Sequence, residues 1–255
     1  MDVISLQSGS NGNAFFVKAG GVQLLVDAGI SGRQAELRLA EHGFDIRDTN
    51  ALLISHDHRD HAQNLGIYHR KFGMPVYLTG RTFEAARRWC NLGRVDRIRW
   101  FVSGETLQIE DVTVHTIPTP HDGADGVAFV IEHENKRVGI LSDLGHAFDG
   151  LRDVLRELDA VVIESNYDED MLHHGPYPEH LKRRIRGPGG HLSNDDSAEL
   201  VQCGNGRLQW ACLCHLSEEN NTPELARTAH TNILGPHFKI HVAPRYSSSE
   251  KLRIE

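Results

Sequence analysis

Apolar residues in this chain fall into short runs that stop abruptly at Gly, Asp, Asn or His. Val3–Leu6, 14–18 and Val22–Val26 predict three strands joined by tight turns, and Asn11-Gly12 between the first two is a strong hairpin signal. Helical spacing follows over 31–41, with Ser31 as N-cap, Gln34 as its capping-box partner and a stop at His42-Gly43. The run 51–55 predicts a strand, and a helical pattern covers 62–72. A strand at 75–78, a helix at 82–89 and short strands at 99–102, 106–109 and 112–117 come next, with Glu110-Asp111 as a turn. The runs 127–132 and 137–141 read as a hairpin around Asn135-Lys136, before a helix at 151–158. Residues 160–164 show no alternation, as expected of a strand covered on both faces. A further apolar run, 208–214, precedes a helix over 222–234 with Thr222 as N-cap and Pro223 at its first position. The last strand is expected at 239–243 and a frayed tail at 247–255.

No internal repeat or low-complexity linker interrupts this order, so a single domain spanning 1–255 is expected. The hydrophobic fraction of 39% and charged fraction of 24% are ordinary for a soluble protein. No apolar run approaches the length of a membrane span, and the opening Met1-Asp2-Val3-Ile4-Ser5 is no signal peptide. The four cysteines form no disulfide framework, which points to reduced thiols and a cytoplasmic location. The formal net charge of −8 argues, taken alone, against a nucleic-acid partner. Bound divalent cations would offset it, and the basic residues are unevenly placed.

Candidate chemistry concentrates at Ser55-His56-Asp57-His58-Arg59-Asp60-His61, three imidazoles and two carboxylates directly after an apolar strand. A strand end is a rigid mount, and a helix start turns closely spaced side chains toward one point. Imidazole with carboxylate suits Zn, Mn or Fe. A second basic segment stands out. Lys182, Arg183, Arg184 and Arg186 are followed by a glycine-rich stretch, His191, and a helix start capped by Ser193 or Asn194. Guanidinium forks and a helix N-terminus both favour phosphate, so these six residues are candidate phosphate ligands.

The motif His56-x-His58-x-Asp60-His61 resembles the signature of the metallo-β-lactamase fold superfamily of metal-dependent hydrolases. The resemblance implies a four-layer αββα sandwich: two mixed β-sheets face to face, helices outside, ligands along one edge. It implies one cation on His56, His58 and His121, a second on Asp60, His61 and His215, and Asp143 as the bridge. His115, inside its strand, competes with His121 for the third imidazole. Asp27, at a strand end, would buttress the metal loop, and Asp122 would support from outside the ligand set.

The resemblance narrows on Ser8-Gly9-Ser10-x-Gly12-Asn13, Glu164-Ser165-Asn166, Lys182-Arg183-Arg184-Ile185, Gly190-His191-Leu192-Ser193-Asn194 and His215-Leu216-Ser217-x-Glu219-Asn220. Together they look like the bacterial YycJ/WalJ-type branch, which implies a metal-dependent DNA exonuclease linked to DNA repair. Asp60 and His191 are then the expected catalytic residues: Asp60 holds a cation, and His191 stabilises phosphate or gives a proton to the leaving oxygen. Asn166 is expected to support the site. The implied reaction is in-line attack of metal-bound hydroxide on a phosphodiester, with two cations (Zn, Mn or Fe), DNA or RNA as substrate, and no membrane partner. The stretch between Asp143 and His215 has no room for the inserted domain of larger RNA-cleaving relatives. Two other readings stand beside this one: a small-molecule phosphodiesterase or thioester hydrolase, and a metal-holding regulator without turnover.

Overall fold

The computed structural model describes residues 1–204 and 206–255. Among them the chain runs β1 (Asp2–Gln7), β2 (Ala14–Ala19), β3 (Val22–Val26), α1 (Gly32–Glu41), β4 (Ala51–Leu53), α2 (Arg59–Ala62), α3 (Leu65–Phe72), β5 (Val76–Thr79), α4 (Gly80–Trp89), β6 (Ile98–Phe101), β7 (Thr106–Ile109), β8 (Val112–Pro118) and β9 (Val127–His133). It continues through β10 (Lys136–Leu141), α5 (Leu151–Arg156), β11 (Ala160–Glu164), α6 (Glu169–His174), α7 (Glu179–Arg186), α8 (Asn194–Cys203), β12 (Trp210–Cys214), α9 (Pro223–Leu234), β13 (Lys239–Val242) and β14 (Leu252–Arg253). The expected α/β class holds: two mixed sheets, of seven strands each among the described residues, with helices around them.

The chain forms two compact units. The first comprises Met1–Pro118, Gly123–Asn135 and Pro244–Glu255. Its main sheet has the order β14-β1-β2-β3-β4-β5-β6, antiparallel from β14 to β3 and parallel from β3 to β6. Ile4, Phe16, Leu25, Leu52 and Val76 from these strands share one buried cluster with Leu39 of α1 and Tyr68 of α3. The antiparallel trio β7-β8-β9 belongs to the same unit.

The second unit comprises Thr119–Asp122 and Lys136–Ala243. Its strands β10, β11, β12 and β13 are all parallel. Strands covered on both faces need apolar residues at every position, and β11 (AVVIE) and β12 (WACLC) are buried throughout. Within each unit the parallel strands run the same way, so their C-terminal ends fall along one side of that unit's own sheet, which is where open α/β sheets put their ligand-binding loops.

Local sequence dictates most helix boundaries. Ser31 accepts from the Gln34 N–H while the Gln34 side chain reaches back to Ser31, the expected capping box. Thr222 caps α9 with Pro223 at its start. Three expectations need correction. The helix read over 62–72 is two helices, because 63–64 are tied to the turn after β3: Gln63 Nε2 donates to the Gly29 carbonyl at 2.7 Å and the Asn64 N–H to that of Ala28 at 3.0 Å. The strand read over 51–55 stops at Leu53. The tail is not frayed. Leu252 and Ile254 are buried, and β14 pairs antiparallel with β1 through Asp2↔Arg253. No helix among the described residues is long and apolar enough to cross a membrane.

One buried histidine ties helices together away from the strand ends. His230 of α9 donates from Nδ1 to the Ala226 carbonyl at 2.9 Å and accepts at Nε2 from the Ser197 hydroxyl of α8 at 3.2 Å. Burial pushes its pKa from 6.5 down to about 4, the Ala226 carbonyl opposing only in part. The unfolded chain therefore takes up a proton that the folded chain refuses. The stability tied to neutral His230 is complete above pH 6.5 and is lost as pH falls toward 4, about 3 kcal/mol in all. The urea midpoint is expected to fall across that window in the wild type and distinctly less in His230→Gln. Parallel pH slopes in the two proteins would contradict this account.

Candidate metal centre

The loop after β4 shows why its residue spacing takes this form. His58 occupies the N-cap position of α2 with extended backbone, so Asp60 and His61 fall in the helix's first turn while His56 comes straight off the strand. The His56 ring lies 4.1 Å from that of His61 and 4.6 Å from that of His58, centroid to centroid. His56 and His61 are buried.

Hydrogen bonds select the tautomers. Asp27, just past β3 and 1% exposed, accepts from the Ser55 N–H at 2.8 Å, the Ser55 hydroxyl at 2.9 Å and His61 Nδ1–H at 2.7 Å. Ser55 Oγ has then given its proton away, so its contact with His56 Nδ1 at 2.9 Å is one in which the imidazole donates. Both rings then carry hydrogen on Nδ1, which makes Nε2 the atom able to accept a hydrogen bond or bind a cation. The loop Ser8–Asn13 supplies a further brace. Its Asn13 Nδ2 lies 3.0 Å from His61 Nε2 and 3.3 Å from Asp60 Oδ2. Gly29 is needed here, since a Cβ would stand 1.8 Å from the Asp60 carbonyl oxygen.

The second unit gathers its own donors at the ends of β10, β11 and β12. Asp143, Glu164, His191 and His215 each offer an atom, all within 4.8 Å of one another. Asp143 Oδ1 is 3.6 Å from His121 Nε2, 3.6 Å from His191 Nδ1 and 3.5 Å from His215 Nδ1. His121 donates from Nδ1 to the Gly190 carbonyl at 2.7 Å, which again leaves Nε2 as the ligand atom. Asn166 donates to the His215 carbonyl at 2.7 Å and lies 3.2 Å from His215 Nδ1. Glu164, fully buried, accepts from the Leu144 N–H at 3.0 Å and from His191 Nδ1–H at 2.5 Å. Burial alone would raise the Glu164 pKa, but the charge and hydrogen bond of His191 bring it below the usual carboxylate range.

Three of these strand-end residues have left-handed backbone: Asp27 (φ 66), Asp143 (φ 54) and His215 (φ 54). For a non-glycine residue this region costs on the order of 1 kcal/mol or more, and such outliers gather at functional sites. At each strand end the left-handed residue reverses the chain and sets a side chain on the edge.

The competitor His115 sits on β8, 3.1 Å from Thr106 Oγ1 and 3.1 Å from Glu132 Oε2, and belongs to none of the candidate metal groups. Asp122 accepts from Arg184 Nε at 2.7 Å, with its other oxygen 3.5 Å from His121 Nε2.

The phosphate set needs correction. Lys182 is 6% exposed and its ammonium donates to the His173 carbonyl at 2.7 Å. Ser193 caps α8, and buried Asn194 bonds Ser165 and Asn221. The first turn of α8 already carries Asp195 and Asp196, whose charge repels a phosphate. Arg186 pairs with Glu169 at 3.0 Å and Arg184 with Asp122. Of the six, only Arg183 has an exposed cation with no acidic partner among the described residues.

Sequence reasoning gave no role to Glu164 or Asn13. Glu164 had a readable signal: a lone carboxylate closing an otherwise apolar strand, as Asp143 nearly does for β10. Asn13 had none beyond its turn-forming neighbours.

Comparison with known proteins shows the family. A profile described as "Beta-lactamase superfamily domain" matches residues 23–208. Exodeoxyribonuclease YycJ of Bacillus anthracis is 33% identical over 244 residues, covering 92% of each chain. Exodeoxyribonuclease WalJ of Streptococcus pneumoniae is 35% identical over 246 residues, covering 92% of this chain and 91% of that one. Among solved structures, the metallo-β-lactamase fold protein YhfI of Bacillus subtilis superposes with a TM-score of 0.76 at 15% identity, over 98% of this chain and 99% of its own. That likeness concerns the fold.

Asp27→Asn keeps the shape but offers an N–H to His61 where a carboxylate oxygen stood. Affinity for Mn²⁺ or Zn²⁺ is expected to drop about 10- to 100-fold, read by isothermal titration of the chelator-treated protein. Wild-type affinity in the variant would remove Asp27 from this role.

Proposed function

Since the chain belongs to the β-lactamase superfamily, in the same branch as the YycJ and WalJ exodeoxyribonucleases, we propose that it is a DNA exonuclease working with two divalent cations. It is a metal-dependent hydrolase. His56, His58 and His121 would hold one cation, Asp60, His61 and His215 the other, and Asp143 would bridge them. The donor set fits: His56, His61 and His121 all use Nδ1 for a hydrogen bond within the protein, so Nε2 is the atom each would turn to a cation, and imidazole with carboxylate suits Zn, Mn or Fe. When bound, such ions activate water and neutralise charge building on a phosphoryl group.

The observation that carries the substrate class is the Glu164–His191 pair. A buried carboxylate accepts from His191 Nδ1–H at 2.5 Å and fixes the ring, so that Nε2 would be the atom offered to a leaving oxygen. A thiolate leaves without help, so a thioester hydrolase gains little from a proton donor. A sugar alkoxide is far more basic and gains much. The pair therefore favours phosphodiesters over thioesters. Arg183 would meet flanking phosphate, with Arg184 and Arg186 available only on release from Asp122 and Glu169. On this reading the whole of 1–255 serves as one hydrolase domain, in the cytoplasm, in DNA repair or processing.

Two outcomes follow. His58→Ala or Asp143→Ala is expected to abolish metal-dependent shortening of end-labelled DNA while the circular dichroism spectrum stays native. Product ladders, single-nucleotide or internal, then report whether cleavage starts at an end. His191→Ala and Glu164→Gln are expected to slow DNA hydrolysis by about 10²- to 10⁴-fold, yet to spare bis(p-nitrophenyl) phosphate, whose leaving group needs no proton. Equal losses on both substrates would remove His191 from the leaving-group role.

A further inference from the structure

Between β5 and β7 the first unit builds a surface unlike the rest. Residues 81–100 hold six arginines, no lysine and only two acids, Glu84 and Asp96, in a chain of net charge −8. Two of the chain's three tryptophans lie in the same stretch and face solvent, Trp89 at 65% and Trp100 at 56% exposure, while Trp210 is 3% exposed. Val102 beside them is 73% exposed. An indole left in water forgoes a large burial gain, and two of them together mark an interaction surface.

Two elements that meet through Phe83 and Trp100 carry these residues. Arg81, Arg87, Arg88 and Trp89 lie on α4, and Arg99 and Trp100 on β6, the outer strand of its sheet. Phe83 of α4 meets Trp100 edge-on with ring centroids 5.4 Å apart, and the Arg87 guanidinium lies 5.6 Å from the Phe83 ring centre. A cavity of about 460 Å³ opens beside Arg87, Arg88 and Trp89. Arg87 pairs with Glu84, and Arg94 with Asp96. Arg81, Arg88 and Arg99 are exposed and have no acidic partner among the described residues.

Charge and shape together choose the occupant. Guanidinium groups meet phosphates bidentately, and exposed indoles take the π-faces of unstacked bases, which a duplex hides. An acidic peptide would use the arginines and leave the indoles idle. The placement fits as well. β4, β5 and β6 are parallel, so Trp100, near the end of β6, lies two strand spacings, roughly 10 Å, from the strand that opens into the His56 loop. We propose that the α4–β6 face binds single-stranded nucleic acid, with bases stacked on Trp89 and Trp100 and phosphates on Arg81, Arg88 and Arg99. It holds the strand beyond the bond being cut, a role that rests on the phosphodiesterase reading above.

The test separates the two. Fluorescence anisotropy of a labelled 20-nucleotide oligothymidylate, with full-length protein in EDTA, reads the face without turnover. Trp89→Ala/Trp100→Ala is expected to weaken binding about 10- to 100-fold. Arg88→Glu/Arg99→Glu is expected to weaken it and to lower the slope of log affinity against log salt by about one to two. All four side chains are exposed, so circular dichroism should stay native. Equal affinity in wild type and both variants, or no binding by wild type, overturns the proposal. So does a wild-type dimer that the tryptophan variant turns into monomer, because the face would then join two copies of this chain. The phosphodiesterase reading is judged apart, by wild-type turnover of bis(p-nitrophenyl) phosphate with Mn²⁺: its absence would fell that reading while the oligothymidylate arm still decides the face.

Discussion

A carboxylate shut away from water must have its lone pairs met by donors, and each unit of this protein is arranged around one such group. In the first unit Asp27 collects a backbone N–H, a hydroxyl and an imidazole N–H. In the second, Glu164 collects the Leu144 N–H and His191. An unpaired buried charge would cost several kcal/mol, so these contacts leave the surrounding loops little freedom. The demand passes outward. Asp27 dictates the proton position on His61 directly and that on His56 through Ser55. The His56–His61 loop is thus oriented from behind, by groups outside it.

Much of the edge was legible beforehand because strand ends leave a local mark. An apolar run that stops at Asp27, Asp143 or His215 announces both a strand and the residue it delivers. Helix caps are local too, and Ser31, Gln34, Thr222 and Pro223 were read from neighbours three or four positions away. Long-range pairings left no such mark. β14 finds β1 some 250 residues away in sequence, so nothing near Leu252 announces its strand.

The basic helix failed for a different reason. Which side of α7 faces inward depends on its neighbours: Ile185 packs with Tyr167 and Leu172, and Lys182 turns inward beside it. Four cations in a row look alike in a sequence, yet here one is buried, two are paired and one faces solution. Ser193 and Asn194 misled through a shared chemistry. A side chain that can cap a helix or tie a loop can equally meet phosphate, and only the fold shows which.

The left-handed residues at the ends of β3, β10 and β12 carry an implication for how such a protein changes over generations. At these turns glycine would relax the backbone, and aspartate or histidine holds it under tension. Drift toward greater robustness would therefore erode the edge first, trading donor groups for relaxed turns. A descendant freed from its chemical task would be expected to gather glycines at 27, 143 and 215 while keeping its sheets intact.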